Sequence, residues 1–259
     1  MTEKQLKNSI LQHAIQGKLV PQLQSEGTGE ELLQQIEEEK KRQITQRNKE
    51  KIAKARSEGK TPAQIKKLKL EQYTPPKPIT EKEQPFTLPT NWTWTRLGEL
   101  FNHNTGKALN SSNKEGTMKD YLTTSNVYWN KFDFTVIKQM PFKESEMDKC
   151  SVTKGDLLVC EGGDIGRSAI WNYDYDICIQ NHIHRLRSKI DLCVPFYYYT
   201  LAYLKGNNLI GGKGIGLLGL SSNALHNIEV PLPPLREQER IVAKVEEIFG
   251  LLNSVEAQI

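Results

Sequence analysis

Ile241, Val245, Ile248, Leu252, Val255 and Ile259 follow one another at spacings of 4, 3, 4, 3 and 4 residues. That rhythm is a coiled-coil seam, and it demands a helix over Leu235–Ile259 with one stripe buried against another helix. Val242, Phe249 and Leu251 flank the seam. The apolar face is therefore wider than a two-stranded contact needs, which predicts more than one packing partner. Glu237 and Glu239 sit near the start of this helix, where its dipole favours negative charge.

A second helix is written at the other end of the chain. Thr2 and Gln5 spell a reciprocal capping box, and Leu6, Ile10, Leu11, Ala14 and Ile15 repeat at helical spacing. Gly17 and Pro21 bracket its end. A helix this short is unstable alone, so it too needs a surface to pack on.

Between the two, the composition is uneven. Residues 1–85 hold 17 Lys+Arg against 12 Asp+Glu, whereas residues 86–259 hold 18 against 19. Tyr73 is the one aromatic residue of 20 that precedes residue 86. A charged arm thus leads into an aromatic-rich globular part. Within the arm, Lys40–Lys69 carries 12 basic residues and only Glu50 and Glu58 as acids. Thr61-Pro62 reads as a cap and first helical turn. The stretch is read either as a solvated helical hairpin or as an arm lying along a polyanion. Five prolines (75, 76, 78, 85 and 89) make Tyr73–Pro89 a semi-rigid linker.

From Phe86 the texture turns to short β-like runs broken by Gly, Asn and Asp. Tyr121–Thr124, Phe134–Ile137, Asp156–Cys160, Ser168–Trp171, Ile177–Ile179 and His182–Leu186 are the expected strands. Pro195–Lys205 reads as a helix with proline in its first turn. Gly211, Gly212, Gly214, Gly216 and Gly219 then form a loop that needs backbone freedom. Val230–Pro234 (VPLPP) is expected to stop regular structure.

Several function classes are excluded or weakened. Apolar runs reach four or five residues, too few to span a bilayer. Residues 1–20 lack the apolar core and cleavage site of a secretory signal. Cys150, Cys160, Cys178 and Cys193 never reach C-x-x-C spacing, so reduced thiols in a cytoplasm are expected. Gly214–Gly219 spells GxGxxG but lacks a preceding buried strand and a following long helix. Asn104–Lys107 lacks the upstream glycine of a phosphate loop. No GxSxG elbow or HExxH helix exists. Asp156 and Glu161 could begin a nuclease carboxylate pair, but Gly162-Gly163 stand where a lysine is needed. No catalytic residue is expected. His182 and His184 alternate, which places both on one strand face. Structural hydrogen bonding, nucleic-acid contact and, without an evident third ligand, metal binding all stay open for them.

What remains is binding architecture. Gly155-Asp156 and Gly162, Gly163 and Gly166 with Arg167 make tight turns beside polar and basic groups. Such turns are either plain hairpin connections or places where the backbone approaches a ligand while arginine offers a fork to guanine or phosphate.

Four segments together resemble the DNA-specificity (S) subunit of type I restriction–modification systems, in a half-length form with one target-recognition domain. They are Ile10–Pro21 (ILQHAIQGKLVP), Leu88–Gly98 (LPTNWTWTRLG), Lys154–Val159 with Gly162–Arg167, and Leu220–Leu225 running into Val230–Val242 (VPLPPLREQERIV). The resemblance implies an α+β recognition domain of short, mostly antiparallel strands and short helices, with N- and C-terminal helices forming an antiparallel coiled coil. Its expected organisation is a helix over 1–24, a basic arm and linker over 25–85, a DNA-binding domain over 86–232, and a coiled-coil helix over 233–259. Expected DNA contacts are Lys107, Gly162, Gly163, Arg167, Asn181, His182, His184, Arg185 and Lys213. Ile241, Val245, Ile248 and Leu252 are the expected partner or dimer interface. The implied function is sequence-specific binding of duplex DNA at one half of a bipartite site. Implied partners are a methyltransferase (M) subunit, a restriction (R) subunit reached indirectly, and a second copy of the chain. No cofactor or metal is expected here; S-adenosylmethionine, ATP and Mg belong on partner subunits. The rival readings are a self-sufficient nuclease or methyltransferase and an oligomerisation module without DNA.

Overall fold

A computed structural model describes residues 2–109, 115–210 and 219–256. Helix α1 (Glu3–Ile15) begins at the expected box: Thr2 Oγ1 accepts from the Gln5 amide at 3.3 Å, and Gln5 Oε1 accepts from the Thr2 amide at 2.8 Å. Thr28 and Glu31 cap α2 (Gly29–Ser57), and Thr61 and Gln64 cap α3 (Pro62–Lys66), by the same reciprocal device. The chain then returns along α2, held where Arg47 and Asn48 bond Glu71 and Lys51 bonds the Lys69 carbonyl. The second limb of the hairpin is thus a short helix and extended chain, since the prolines that follow forbid another long helix.

The remaining elements are β1 (Thr93–Arg96), α4 (Leu97–Leu100), β2 (Phe101–Thr105), β3 (Thr117–Leu122), β4 (Val127–Tyr128), β5 (Lys131–Phe132), β6 (Lys138–Phe142), α5 (Glu144–Cys150), β7 (Ser151–Val152), β8 (Leu157–Cys160), β9 (Ser168–Ile170), β10 (Ile177–Ile179) and β11 (Ile183–Ser188). They lead to α6 (Val194–Gly206), α7 (Ser222–His226), β12 (Glu229–Leu232) and α8 (Leu235–Glu256). One sheet has the order β2-β11-β8-β9, antiparallel throughout. A second has the order β6-β3-β10-β7, with β3 and β10 parallel. The β1–β12 and β4–β5 pairs are antiparallel ribbons. The fold is α+β with mostly antiparallel pairing, as expected.

The terminal helices run antiparallel. Lys7 near the start of α1 bonds Asn253 near the end of α8, while Gln22 after α1 bonds Glu237 in the first turn of α8. Arg240 closes the same end with two bonds to Glu26, at 2.8 and 2.7 Å. One apolar cluster joins Ile10, Ala14 and Ile15 of α1 to Phe196, Tyr197 and Leu201 of α6 and Ile241 and Val245 of α8. It also contains Leu157 and Leu186 of the first sheet.

Three local expectations change. Phe134–Ile137 is a bend, because Asp133 Oδ1 accepts from the Thr135 amide at 2.8 Å and turns the chain before β6. β3 stops at Leu122, where Thr123 caps a single turn through Asn126. Pro231 does not end regular structure: it lies in β12 opposite Trp94, in a two-stranded ribbon where an absent N–H costs nothing.

All four cysteines are free, and burial pushes the thiols of Cys160, Cys178 and Cys193 up to about 11. Among the described residues no helix is long and apolar enough to cross a membrane.

Gly29 packs so closely that a Cβ there would stand 2.0 Å from the Leu232 carbonyl oxygen. Gly250, inside α8, has nothing within 4 Å of that position. Gly29→Ala should therefore destabilise by about 1–3 kcal/mol, whereas Gly250→Ala should stabilise by about 0.5–1 kcal/mol through helix propensity. Urea unfolding of both variants checks the opposite signs.

Candidate nucleic-acid interface

At one end of the first sheet, backbone hydrogen bonds gather four segments that are distant in sequence. The Lys107 amide bonds the Ile179 carbonyl, and the Asn181 amide bonds the Lys107 carbonyl, both at 3.0 Å. The Glu161 amide bonds the His182 carbonyl at 3.0 Å, and the Leu220 amide bonds the Glu161 carbonyl at 2.7 Å. The β8–β9 turn, the turn before β11, the strand exit after β2 and the approach to α7 thus share one edge. Backbone bonds of this kind fix loops more firmly than side-chain contacts alone.

The expected contact residues divide at this edge. Gly163 is exposed at φ +74°, and Gly162 beside it is half-buried with open space where a Cβ would stand. Asn181 is half-buried, and His182 is exposed with its Nδ1 2.9 Å from Glu161 Oε2. These four can meet a ligand directly. Lys107 is largely enclosed, its ammonium spent on Glu146 at 2.6 Å and the Pro141 carbonyl at 2.7 Å. Arg167 lies half-buried and donates from Nη2 to the Thr124 carbonyl. Lys213 lies outside the described residues.

His184 and Arg185 depart from their expected roles. The chain turns at Asn181-His182 before β11 begins, so strand alternation does not carry from His182 to His184. His184 is fully buried, and Arg185 is 3% exposed with Nη1 donating to the Asp148 and Ser151 carbonyls. Neither can reach a duplex without leaving the core. The neighbouring Arg187 forms a fork on the buried Asp156 at 2.8 and 2.7 Å. Asp156 and Glu161 sit at opposite ends of β8, roughly 16 Å apart along the strand, so they form no carboxylate pair.

His184 belongs to a stack of imidazoles. Its Nε2 lies 2.7 Å from the Leu220 carbonyl, which only accepts, so Nε2 carries the proton. Its Nδ1 must then accept from His103 Nε2 at 2.8 Å. His226 meets His103 edge-to-face at 4.7 Å. Burial lowers His103 to about 4, with the His184, His226 and Arg185 charges adding to the effect. Burial also lowers His184 and His226. Among the described residues no group of three His, Cys, Asp or Glu side chains is placed to hold a metal ion.

The seam residues also divide. Ile241 is 1% and Val245 0% exposed, inside the chain's own core, while Ile248 and Leu252 are half-buried at its margin. A partner helix can reach the last two but not the first two. Sequence reasoning missed Tyr128 and Lys131, exposed cross-strand neighbours in the β4–β5 ribbon. The signal available was Val-Tyr and Lys-Phe flanking Trp129-Asn130, with Asn130 taking the left-handed conformation at φ +50°.

A family model described as the type I restriction modification DNA specificity domain matches residues 89–259. The specificity subunit of the Escherichia coli type I restriction enzyme EcoAI is 26% identical over 259 residues, covering 96% of this chain and 40% of that subunit. The EcoEI specificity subunit of E. coli is 25% identical over 285 residues, covering 98% of this chain and 41% of that subunit. The chain therefore spans about two fifths of these relatives. Among solved structures, the HsdS subunit from Thermoanaerobacter tengcongensis superposes with a TM-score of 0.52 at 23% identity, over 67% of this chain and 41% of that one. A chain from a type I R-M system, solved to show complex assembly and conformational transition, gives 0.54 at 20% identity over 89% of this chain and 52% of that one. These likenesses establish a shared fold.

The imidazole stack makes stability depend on pH. A histidine depressed in the folded state binds its proton more tightly when unfolded, so its contribution is present above the unfolded value and lost as pH falls. The histidine contribution to thermal stability should be level well above pH 6.5 and should decline between 6.5 and about 4. In His103→Gln that decline should be shallower, as calorimetry across the same range would show.

Proposed function

The chain belongs to the family of type I restriction modification DNA specificity domains, and on that premise we propose that it is a non-catalytic subunit that binds duplex DNA sequence-specifically at one half of a bipartite site. The family match over 89–259 carries this reading. The edge built from Gly162, Gly163, Asn181 and His182 supports it, since close backbone approach and polar tips suit base edges and phosphates. Lys213 joins that set on its sequence alone, as a lysine among Gly211, Gly212 and Gly214. Lys107 supports the edge from behind.

In this reading 86–232 is the recognition unit, segments 1–24 and 233–259 dock and space it through α1 and α8, and 25–85 is a connector. Methyl transfer and cleavage fall to a methyltransferase subunit and, through it, a restriction subunit, which bring S-adenosylmethionine, ATP and Mg. The complex works in the cytoplasm. A bipartite site needs two recognition units related by a dyad, and a second copy of this chain would supply the other. Ile248 and Leu252 are the seam positions available for that contact.

Selection from a random duplex library, with the chain bound to its methyltransferase partner, tests the reading. One enriched motif is expected; absence of any enrichment overturns it. The chain alone, with magnesium and S-adenosylmethionine, should neither cut nor methylate DNA. Turnover that survives purification and vanishes on a point change in this chain would show it to be an enzyme.

Changing Ile248 and Leu252 together to Asp should convert dimers to monomers in sedimentation. The dimer proposal fails if the unchanged chain is monomeric both alone and with its methyltransferase partner.

A further inference from the structure

Most cations around the recognition edge are already spent. Lys107 pairs with Glu146, Lys154 with Asp174, Arg187 with Asp156 and Lys205 with Asp164. Arg167 and Lys131 differ: among the described residues neither has a carboxylate within 4.0 Å, and both approach the ring of Tyr128. The Arg167 guanidinium carbon lies 4.8 Å from that ring's centroid, and Lys131 Nζ lies 5.9 Å from it. Two cations without a salt-bridge partner and a phenol therefore share one surface patch, adjoining Gly162 and Gly163 through the β8–β9 turn, with Asp133 near enough to Lys131 to feel its charge.

The patch stands on a rigid base. Asn126 Nδ2 donates to the Asp133 and Val136 carbonyls, each at 2.9 Å, fixing the open end of the β4–β5 ribbon. The Asn130 amide bonds the Ser168 carbonyl at 3.1 Å, and Phe132 meets Trp171 at 5.0 Å. Tyr128 is 37% exposed, and its hydroxyl has no hydrogen-bond partner among the described residues.

Arg167 itself is poorly placed to read a base. Nη2 already gives one of its two hydrogens to the Thr124 carbonyl, so at most one bidentate edge of the guanidinium stays open. Nε is enclosed without an acceptor. What the group does well is lie against Tyr128 and tie the β8–β9 turn to the ribbon.

We propose that Tyr128 and Lys131 hold phosphates of the bound duplex, and that Arg167 is a positioning residue that fixes the Tyr128 ring and reads no base. This rests on the duplex-binding reading above. Phenol hydroxyls and ammonium groups are ordinary phosphate partners, and neither conveys sequence. Two cations without a salt-bridge partner, flanking an exposed phenol beside the polar edge of the domain, fit the phosphates of duplex DNA.

The test uses the full chain with its methyltransferase partner, the duplex enriched from a random library, and a scrambled duplex of equal length. Lys131→Gln should weaken binding to both duplexes alike and lower the salt slope by about 0.9. Tyr128→Phe, a conservative surface change that leaves the fold intact, should lose roughly 10-fold on both duplexes, as expected for one hydrogen bond to a charged oxygen. Arg167→Ala should lose a similar factor on both, and the Arg167→Ala/Tyr128→Phe double variant should lose no more than either single one, because one acts through the other. Base preference, read by repeating the selection with each variant, should stay unchanged. An altered base preference in Arg167→Ala, additive losses in the double variant, or wild-type affinity in Tyr128→Phe and Lys131→Gln would each overturn the proposal. Thermal unfolding of Arg167→Ala separates misfolding from misplacement, and the Tyr128 and Lys131 variants decide the matter if that chain does not fold. Failure of the unchanged complex to enrich any duplex would instead count against the DNA-binding reading itself.

Discussion

The antiparallel closure of α1 on α8 is the contact on which the rest depends. Neither helix is stable alone: α1 has 13 residues and one apolar stripe, and the seam of α8 needs a surface to cover it. They find that surface in α6 and in each other, in a cluster that also holds Leu157 and Leu186 of the first sheet. The helices are therefore no appendage to the recognition domain. The core that seats them also seats the sheet whose far end bears the loops. The breadth of the α8 face, which no two-stranded coil requires, follows from this: Val242 is buried in the same cluster, and Phe249 meets Tyr199 of α6 at 6.0 Å.

A firmly held sheet makes the loop edge useful. Glu161 gives its amide to His182 and its carbonyl to Leu220, so one residue links three of the four segments there. The imidazole stack sits directly behind, with His184 bonded to the Leu220 carbonyl, His103 against His184 and His226 against His103. Rotamers backed in this way lose little entropy on meeting a ligand, which is how a modest set of contacts can discriminate.

The sequence was legible wherever the signal is local. Two helix starts, at Thr2 and Thr61, are declared by caps, and α8 by a seam within one run of chain. The α6 helix was equally clear, its Pro195 in the first turn. The site was less legible because its partners are remote. Arg167 bonds a carbonyl 43 residues away, Lys107 a carboxylate 39 away and Arg187 one 31 away. Nothing at Arg185 distinguishes it from an exposed arginine until the carbonyls of Asp148 and Ser151 are brought to it. Parity failed between His182 and His184 for a simpler reason, that a turn interrupts the strand on which parity relies. Tyr128 and Lys131 went unseen because two-residue strands carry too little pattern to assert themselves.

The pairing of charges also explains how a domain without a net positive field can serve a polyanion. Residues 86–259 carry 18 basic and 19 acidic residues, so long-range attraction cannot supply the affinity. Local geometry has to do so. Carboxylates neutralise Lys107, Lys154, Arg187 and Lys205 and turn them to holding the fold together. Any cation left unpaired then stands out against an electrically quiet surface. A domain built this way gains little from non-specific phosphates, which widens the gap between a correct site and a wrong one. The general attraction to DNA can then come from elsewhere, and residues 1–85, with a surplus of basic over acidic residues of 17 to 12, hold that charge outside the matched recognition domain.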